Sequence, residues 1–218
     1  MTEHVADLRS RAYGALALAY HGAPATETVT RAAALVAEAR ARGDHATGDA
    51  MASLAERVPS EADEAVRQDF HDLFLVPTPR YVRPYESVHA DAPLAAGDRA
   101  PIPANFGPST VAISRFYERV GLKVAPDYNE LPDFVGLELA CMEFLCDREG
   151  VHHRTGDREG VRHARSAQAE FLNAHMLRWI PRLAASVRGH AATRFHIRLA
   201  DATARLLASD EKRICVMR

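Results

Sequence analysis

The chain has 218 residues, of which 47% are hydrophobic and 26% charged, a composition typical of a globular protein. Its formal net charge of −2 at pH 7 argues against broad binding of nucleic acid or of anionic membranes. The N-terminal stretch lacks the basic segment and apolar core of a signal peptide, and no apolar run reaches the roughly 20 residues of a membrane span. We therefore expect a cytoplasmic protein that binds no nucleic acid and inserts into no membrane.

Helical periodicity dominates the first quarter of the chain. Apolar residues recur at helical spacing over residues 2–20, 26–42 and 45–57, and glycine or proline follows each run. A fourth helix is expected to begin with Ser60 as its N-cap, because acidic side chains follow it in the first turn. Four residues of the second helix are expected to face the core: Val29, Ala33, Val36 and Ala37.

The segment from Ser60 to Asn105 joins this fourth helix to a long proline-rich loop. Seven of the twelve prolines lie in the segment or just beyond it: Pro77, Pro79, Pro84, Pro93, Pro101, Pro103 and Pro108. Each removes a backbone donor and disfavours helix in the residue before it. Long loops in compact proteins are usually functional or disordered, and residues such as Tyr81, Val82 and Tyr85 argue against disorder. We therefore interpret the loop as functional.

The rest of the chain also follows helical patterns, which predict helices over residues 107–120, 132–149, 161–179, 180–188 and 193–209. Pro132 is expected in a first turn, residues 150–160 in a polar loop, and Pro181 at the start of a new helix. Core positions in the first and last of these helices are Val111, Phe116, Val120, Phe195, Leu199, Ala202 and Leu206. Because no alternating β-branched run is bounded by hairpin turns, the expected fold is all-α. We expect one domain over residues 1–218, with eight or nine helices around one core.

The common motifs for nucleotide binding, zinc proteolysis and serine hydrolysis do not occur in the sequence. His152, His153 and His163 are clustered, but no helical histidine–carboxylate pair completes a metal set, so a solvated surface is expected there. The three cysteines, Cys141, Cys146 and Cys215, have neither metal-knuckle nor disulfide-framework spacing and are interpreted as buried thiols. The sequence therefore predicts no metal site, no cofactor and no catalytic residues.

Three polar residues nevertheless occupy unusual positions. Glu138 lies within the apolar stripe of its helix, where an isolated carboxylate is costly, and we expect a buried pair with an arginine in preference to a direct functional role. His175 shares a helix face with Phe171 and Trp179 and is interpreted as a hydrogen-bonded core histidine. Asp133 is either a charge at the start of a helix or a group that faces a ligand.

Three segments, in this order, resemble the TorD/DmsD/NarJ family of redox-enzyme maturation chaperones. FHDLFLVPTPRYVRPYESVHAD is similar to the block F-x-x-L-F … P-P-Y-x-S-V, at Phe70, Leu73, Phe74, Pro84, Tyr85, Ser87 and Val88. ELPDFVGLELACMEFL is similar to P-x-D-H-x-x-x-E-L-x-F-M, with Phe134 in place of the histidine. FLNAHMLRWIPRL resembles F-L-x-x-H-x-x-x-W-x-P, at Phe171, Leu172, His175, Trp179 and Pro181. Arg83 stands where many members have another proline.

The resemblance implies an all-helical cytoplasmic chaperone and not an enzyme. Such a chaperone binds the apo catalytic subunit of a DMSO-reductase-type molybdenum oxidoreductase, often through its twin-arginine signal peptide. It assists cofactor insertion and holds back export until insertion is complete. The implied assembly is a monomer or a dimer formed by exchange of helices.

A signal peptide offers basic residues followed by an apolar helix, so its receptor needs an apolar groove with carboxylates at one end. Leu73, Phe74 and Tyr85 are expected to supply the apolar wall, although a core position is an equal alternative for Leu73 and Phe74. The carboxylates expected to meet the arginines are Glu86, Asp91 and Asp133. The complete predicted client-binding set is Phe70, Leu73, Phe74, Pro84, Tyr85, Glu86, Ser87, Asp91, Asp133, Phe134 and Glu138.

Two other functions are left open by the residues. A small metal-dependent hydrolase of helical fold would use Glu138, His175 and nearby acids, and would contain stoichiometric zinc or iron. A helical adaptor with no export role would instead bind the mature client without its leader.

Overall fold

The computed structural model describes residues 2–56, 62–91, 106–125 and 127–215. The helices are α1 (Glu3–Tyr20), α2 (Ala25–Ala41), α3 (His45–Ala55), α4 (Asp63–Phe70), α5 (Glu86–Ala90), α6 (Pro108–Val120), α7 (Val135–Arg154), α8 (Arg158–Phe171), α9 (Leu177–His190) and α10 (Arg194–Cys215). A π-helical turn over His71–Leu75 continues α4, and another over Leu172–Met176 joins α8 to α9. The described ranges thus hold nine continuous helical bodies and no strand, which confirms the all-α prediction.

Helix α1 occupies the centre of the fold, and twelve of its 18 residues are buried. It packs mainly on α7 and also on α2, while α3 and α9 pack on α10. Small residues permit the close approach of α1 to α7. A Cβ at Gly14 would lie 2.3 Å from the Glu143 carboxylate, so a larger residue there would displace that side chain.

A buried polar network ties α1 to the end of the chain. The Arg9 guanidinium donates to both oxygens of Asp210, at 2.9 and 2.7 Å, and its Nη1 lies 3.4 Å from Glu149. The Tyr13 hydroxyl donates to Asp210 at 2.8 Å. All four side chains are fully buried, and Glu149 also pairs with Arg165 at 2.8 Å, so each buried charge has an oppositely charged partner.

Two predicted helix boundaries are wrong. Helix α7 begins at Val135, after Pro132, because the backbone of residues 133–135 pairs with the proline-rich loop instead of entering the helix. It continues to Arg154 and ends before Gly156, whose φ is +70°. His152 and His153 therefore lie in its last turn, half-buried and beside Asp157 and Glu149, not in a solvated loop.

The break expected at Pro181 is also wrong, because α9 continues through it. Proline removes one backbone donor from a helix, and Pro181 is exposed, so water can hydrogen-bond the carbonyl that loses its partner. Residues from Arg158 to His190 consequently form one continuous body that carries the whole third motif segment.

The predicted core faces are correct where large side chains define them. Four residues of α10 are buried as expected: Phe195, Leu199, Ala202 and Leu206. Ala33 and Ala37 of α2 are exposed, and its buried face instead includes Ala32, Leu35 and Ala39, because alanine occurs on every side of this helix. Val111 is 38% exposed. The positions of Ser60, Pro93, Pro101 and Pro103 and the side chain of Cys215 lie outside the described parts of the chain.

Candidate functional site

The proline-rich loop and the start of α7 are joined directly. Tyr85 and Phe134 form an isolated antiparallel bridge, in which the Glu86 amide donates to the Asp133 carbonyl at 3.0 Å. The Val135 amide donates to the Pro84 carbonyl at 2.9 Å. The first and second motif segments, about 50 residues apart in sequence, therefore share a short extended pairing that orients both.

Asp133 stabilises this pairing through its side chain. Its carboxylate accepts a hydrogen bond at 2.9 Å from the amide of Ser87, in the first turn of α5. An acidic acceptor at a helix N-terminus satisfies an otherwise unpaired amide and complements the helix dipole. Asp133 is fully buried, so it holds the loop in place and does not reach solvent in this structure.

The third motif segment contacts the first two through hydrogen bonds to two buried carboxyl groups. His175 Nδ1 lies 2.8 Å from Glu86, and the Trp179 indole donates to Glu138 at 3.0 Å. The interpretation of His175 as a hydrogen-bonded core histidine is confirmed. The prediction that Glu138 pairs with an arginine is wrong, because its hydrogen-bond donor is the indole of Trp179.

Burial disfavours the charged form of Glu138. Burial, followed by the nearby negative charge of Glu86, raises the pKa of Glu138 well above its ordinary value, despite the opposing hydrogen bond from Trp179. Glu86, Asp133 and Glu138 are all fully buried. In this conformation they shape the interior and are not accessible to a peptide at the surface.

Other members of the predicted set are also interior. Leu73 is fully buried and Phe74 is 7% exposed, so both are core residues and do not form an exposed wall of a groove. Pro84, Ser87 and Phe134 are buried around the pairing. Asp91 is half-buried and accepts from the amide and hydroxyl of Ser109, in the first turn of α6.

Tyr85 and Phe70, like Asp91, are only partly buried and reach the surface. The Tyr85 hydroxyl donates to Glu130, a carboxylate that the sequence analysis missed. Burial and this neighbouring charge raise the pKa of Tyr85. Phe70 packs edge-on against Phe74, with ring centroids 5.4 Å apart.

Phe70 lines a cleft of about 420 Å³ between the α1–α2 turn, α4 and the start of α10. The cleft is largely apolar, and Val66, Phe195 and His196 contribute to its walls. A Cβ at Gly22 would lie 3.2 Å from the Phe70 ring, and Gly22 has φ +83°, so the turn requires glycine here. From the sequence, Gly22 and Pro24 indicated only the end of the first helix, whereas both line this cleft.

Beneath the cleft, Asp69 organises the start of α10. Its carboxylate accepts from the amides of Ala192 and Thr193, at 3.0 and 2.9 Å, and from the Thr193 hydroxyl. It also lies 2.9 Å from His196 Nδ1 and pairs with Arg80. Asp69 therefore fixes the orientation of the His196 ring at the cleft wall.

The α1–α2 turn connects the cleft to the paired loop. His21 stacks edge-on against Phe134, with centroids 5.2 Å apart, and hydrogen-bonds the Tyr128 hydroxyl. Gly22, the next residue, lines the cleft. The cleft and the exposed edge of Tyr85 consequently lie on two sides of a single turn.

Gly136 is required at this contact. A Cβ there would lie 2.5 Å from ring atoms of both His21 and Phe134, so Gly136→Ala is expected to lower the free energy of unfolding by about 1–3 kcal/mol. Gly189→Ala in α9 is the matched control, because no described heavy atom lies within 4 Å of its Cβ. It should leave stability equal or slightly higher. Urea denaturation checks both, and equal behaviour of the two variants would contradict the packing argument.

Other chemistry is sparse in the described ranges. They contain no group of three or more His, Cys, Asp or Glu side chains placed to hold a metal ion. Cys141 and Cys146 are buried thiols, and burial raises the pKa of both. None of the helices in these ranges combines the length and apolarity that crossing a bilayer requires.

Comparison with known proteins agrees with the motif resemblance. Residues 40–185 match the family model described as nitrate reductase delta subunit. Over 146 residues the chain is 27% identical to the perchlorate reductase assembly chaperone protein of Dechloromonas aromatica (strain RCB), covering 64% of this chain and 59% of that protein. The chain thus spans about three fifths of the length of that relative. It belongs to the nitrate reductase delta subunit family, whose NarJ- and TorD-type members are assembly chaperones and not enzymes.

Proposed function

We propose that this protein is a cytoplasmic chaperone for the catalytic subunit of a DMSO-reductase-type molybdenum oxidoreductase. It binds the apo subunit and its twin-arginine leader, and releases them after cofactor insertion. Family membership and the named role of the perchlorate reductase relative support the assembly function. The observation that carries the leader-binding part is the apolar cleft beside Phe70.

The cleft has the chemistry that a leader requires. A leader combines an apolar helix with arginines, and an amphipathic or apolar helix binds by inserting side chains into a groove. Val66, Phe70 and Phe195 offer apolar walls, and Asp63 lies at the rim. Glu64, the next residue, is exposed beside it and pairs with Arg67 at 2.6 Å. A leader arginine can compete for these exposed carboxylates at little cost, because surface ion pairs are weak.

The predicted client-binding residues take two roles in this proposal. Phe70 contacts the leader in the cleft, and Tyr85 with Glu130 extends the surface across the α1–α2 turn. The remaining members act by holding this surface in shape: Leu73, Phe74, Pro84, Glu86, Ser87, Asp91, Asp133, Phe134 and Glu138. A partner that must be released calls for affinity of about 1 μM, or roughly −8 kcal/mol.

The test is calorimetric titration with the twin-arginine leader of a candidate client, a molybdoenzyme catalytic subunit from the same organism. Ala23→Phe places a ring in the cleft, because Ala23 lines it, and should weaken binding by about tenfold or more, the equivalent of one lost aliphatic anchor. Ala33→Phe is the matched control, because Ala33 is exposed on α2 outside the cleft. Leader binding unaffected by Ala23→Phe would show that the cleft is not the site.

A second experiment tests the adaptor alternative. Full-length and leaderless catalytic subunits are compared in a pull-down with the wild-type chaperone. A leader-dependent chaperone retains the full-length subunit more strongly, whereas an adaptor without an export role retains both equally. The hydrolase alternative has no support from the family, whose members are not enzymes.

A further inference from the structure

A second cleft, of about 180 Å³, lies between α6, α7 and α8. Its floor is apolar, with Leu145 2% and Ala164 8% exposed. Its rim carries four basic side chains: Arg119, Arg148, His152 and His163. No acidic residue is among the described residues that line it.

Of the four basic groups, His152 pairs with Asp157 at 2.9 Å, whereas the guanidinium groups of Arg119 and Arg148 make weaker contacts. Each lies over an aromatic ring, Arg119 4.9 Å from the Phe116 centroid and Arg148 5.6 Å from that of Phe144. The Arg119 side chain is 58% exposed and pairs with Glu170, itself 52% exposed, and exposed pairs of this kind contribute little. Arg148 is exposed and donates to the Val120 carbonyl at a long 3.3 Å. Two guanidinium groups at the rim are therefore available to an anionic partner without the cost of breaking a buried pair.

We propose that this cleft binds an acidic segment of the client's mature chain, in which Asp or Glu flanks a small apolar side chain. The apolar side chain rests on Leu145 and Ala164, and the flanking carboxylates meet Arg119 and Arg148. Planar guanidinium groups match carboxylates in this way. The inference rests on the proposed chaperone function only for the identity of the partner.

A peptide suits the cleft better than other anionic partners. Binding of single-stranded nucleic acid uses aromatic platforms on which bases stack, and no Phe, Tyr or Trp side chain is among the described residues that line this cleft. The apolar floor matches a side chain and not a phosphate backbone. The net charge of −2 also gives no broad basic surface.

The acidic segment and the leader occupy different places. The leader is basic and would be repelled by Arg119 and Arg148. Along α7, Arg148 lies 14 residues from Phe134, or about 20 Å at the helical rise of 1.5 Å per residue. When one client makes both contacts, the second contact forms intramolecularly at a high effective concentration, so the client stays bound longer. Each contact can still be released separately.

The test uses fluorescence anisotropy with the full-length protein and a labelled, end-capped peptide, Gly-Asp-Glu-Leu-Ala-Glu-Asp-Gly. Arg119→Glu with Arg148→Glu should weaken binding by about tenfold or more, because two attractive contacts become repulsive. Ala167→Asp is a second variant, which places a carboxylate in the cleft without removing either arginine, because Ala167 lines it. The matched control is Arg31→Glu with Arg40→Glu, two exposed residues of α2 outside both clefts.

The expected pattern is specific. Wild type and the α2 control bind the acidic peptide, both cleft variants lose it, and the Asn/Gln version of the peptide binds none of them. Equal loss in the α2 control, equal binding of the neutral peptide, or tighter binding of an oligo(U) RNA would each overturn the proposal. Every variant is also titrated with the leader, which separates the two proposals. If the leader-binding proposal is wrong, only the leader titrations depart from expectation. If the acidic-segment proposal is wrong, only the acidic-peptide measurements do.

Discussion

Replacing Arg9 with alanine is expected to lower the free energy of unfolding by about 3–5 kcal/mol, because it removes the guanidinium that donates to both oxygens of the buried Asp210 carboxylate. Arg9 contacts both oxygens of Asp210 and lies 3.4 Å from Glu149, and none of these side chains is exposed. Tyr13 donates to Asp210 but carries no charge that could balance it. The loss is measured by urea denaturation followed by circular dichroism.

Arg11→Ala supplies the control on the same helix. Arg11 pairs with Glu38, but its side chain is 50% exposed, so its loss should cost no more than about 1 kcal/mol. Because Arg9 ties α1 to α7 and α10, its replacement should also reduce the cooperativity of unfolding. Similar losses in the two variants would contradict the view that burial makes the Arg9 network indispensable.

Replacing Asp69 with asparagine is expected to cost about 2–4 kcal/mol and to weaken leader binding as well. An amide nitrogen would face donors that now converge on a carboxylate, including the amides of Ala192 and Thr193. The variant also loses the ion pair with Arg80 and the partner of His196 at the cleft wall. Thermal and urea unfolding measure the first effect, and calorimetry with the leader measures the second.

The cost of Asp69→Asn should depend on pH in a defined direction. Burial opposes the charge on Asp69, but hydrogen bonds from His196, Thr193 and two amides outweigh it and lower the pKa of Asp69 far below its ordinary value of 3.8. The unfolded chain therefore binds a proton near pH 4 where the native protein does not. The stabilisation is complete above that pH and is lost as the pH falls.

The difference between wild type and Asp69→Asn should accordingly shrink between about pH 5 and pH 2. Asp72→Asn is the control, because Asp72 also pairs with Arg80 but is more exposed and caps no helix. It should leave leader binding unchanged. A difference that stays constant down to pH 2 would mean that folding does not lower the pKa of Asp69.

The helices were predictable because their signal is local. Periodic apolar residues identified every helical body except the short α5, which lies within the predicted proline-rich loop. Large side chains such as Phe195 and Leu199 identified the buried face of α10. The three motif segments identified the family. Alanine-rich α2 and the boundaries at Pro132 and Pro181 were not predictable, because each depends on which neighbour packs there.

The residues of the candidate site were also predictable only in part. The sequence indicated which polar residues are unusual, and His175 is buried as expected. It could not assign their partners, because Glu86 and His175 are 89 residues apart and Trp179 is 41 residues from Glu138. Such pairs depend on how whole helices cross, which no local period encodes.

Composition, helical period and three ordered motifs are properties of the chain itself, so the sequence alone determined the all-α class and the family. Accessibility is a property of packing, so only the tertiary structure decided that Glu86, Asp133 and Glu138 are interior and that Phe70 borders a cleft. That cleft is assembled from α1, α2, α4 and α10, which no single segment contains. Distant helices meet because burying their apolar faces is favourable, and the surface that results belongs to all of them together.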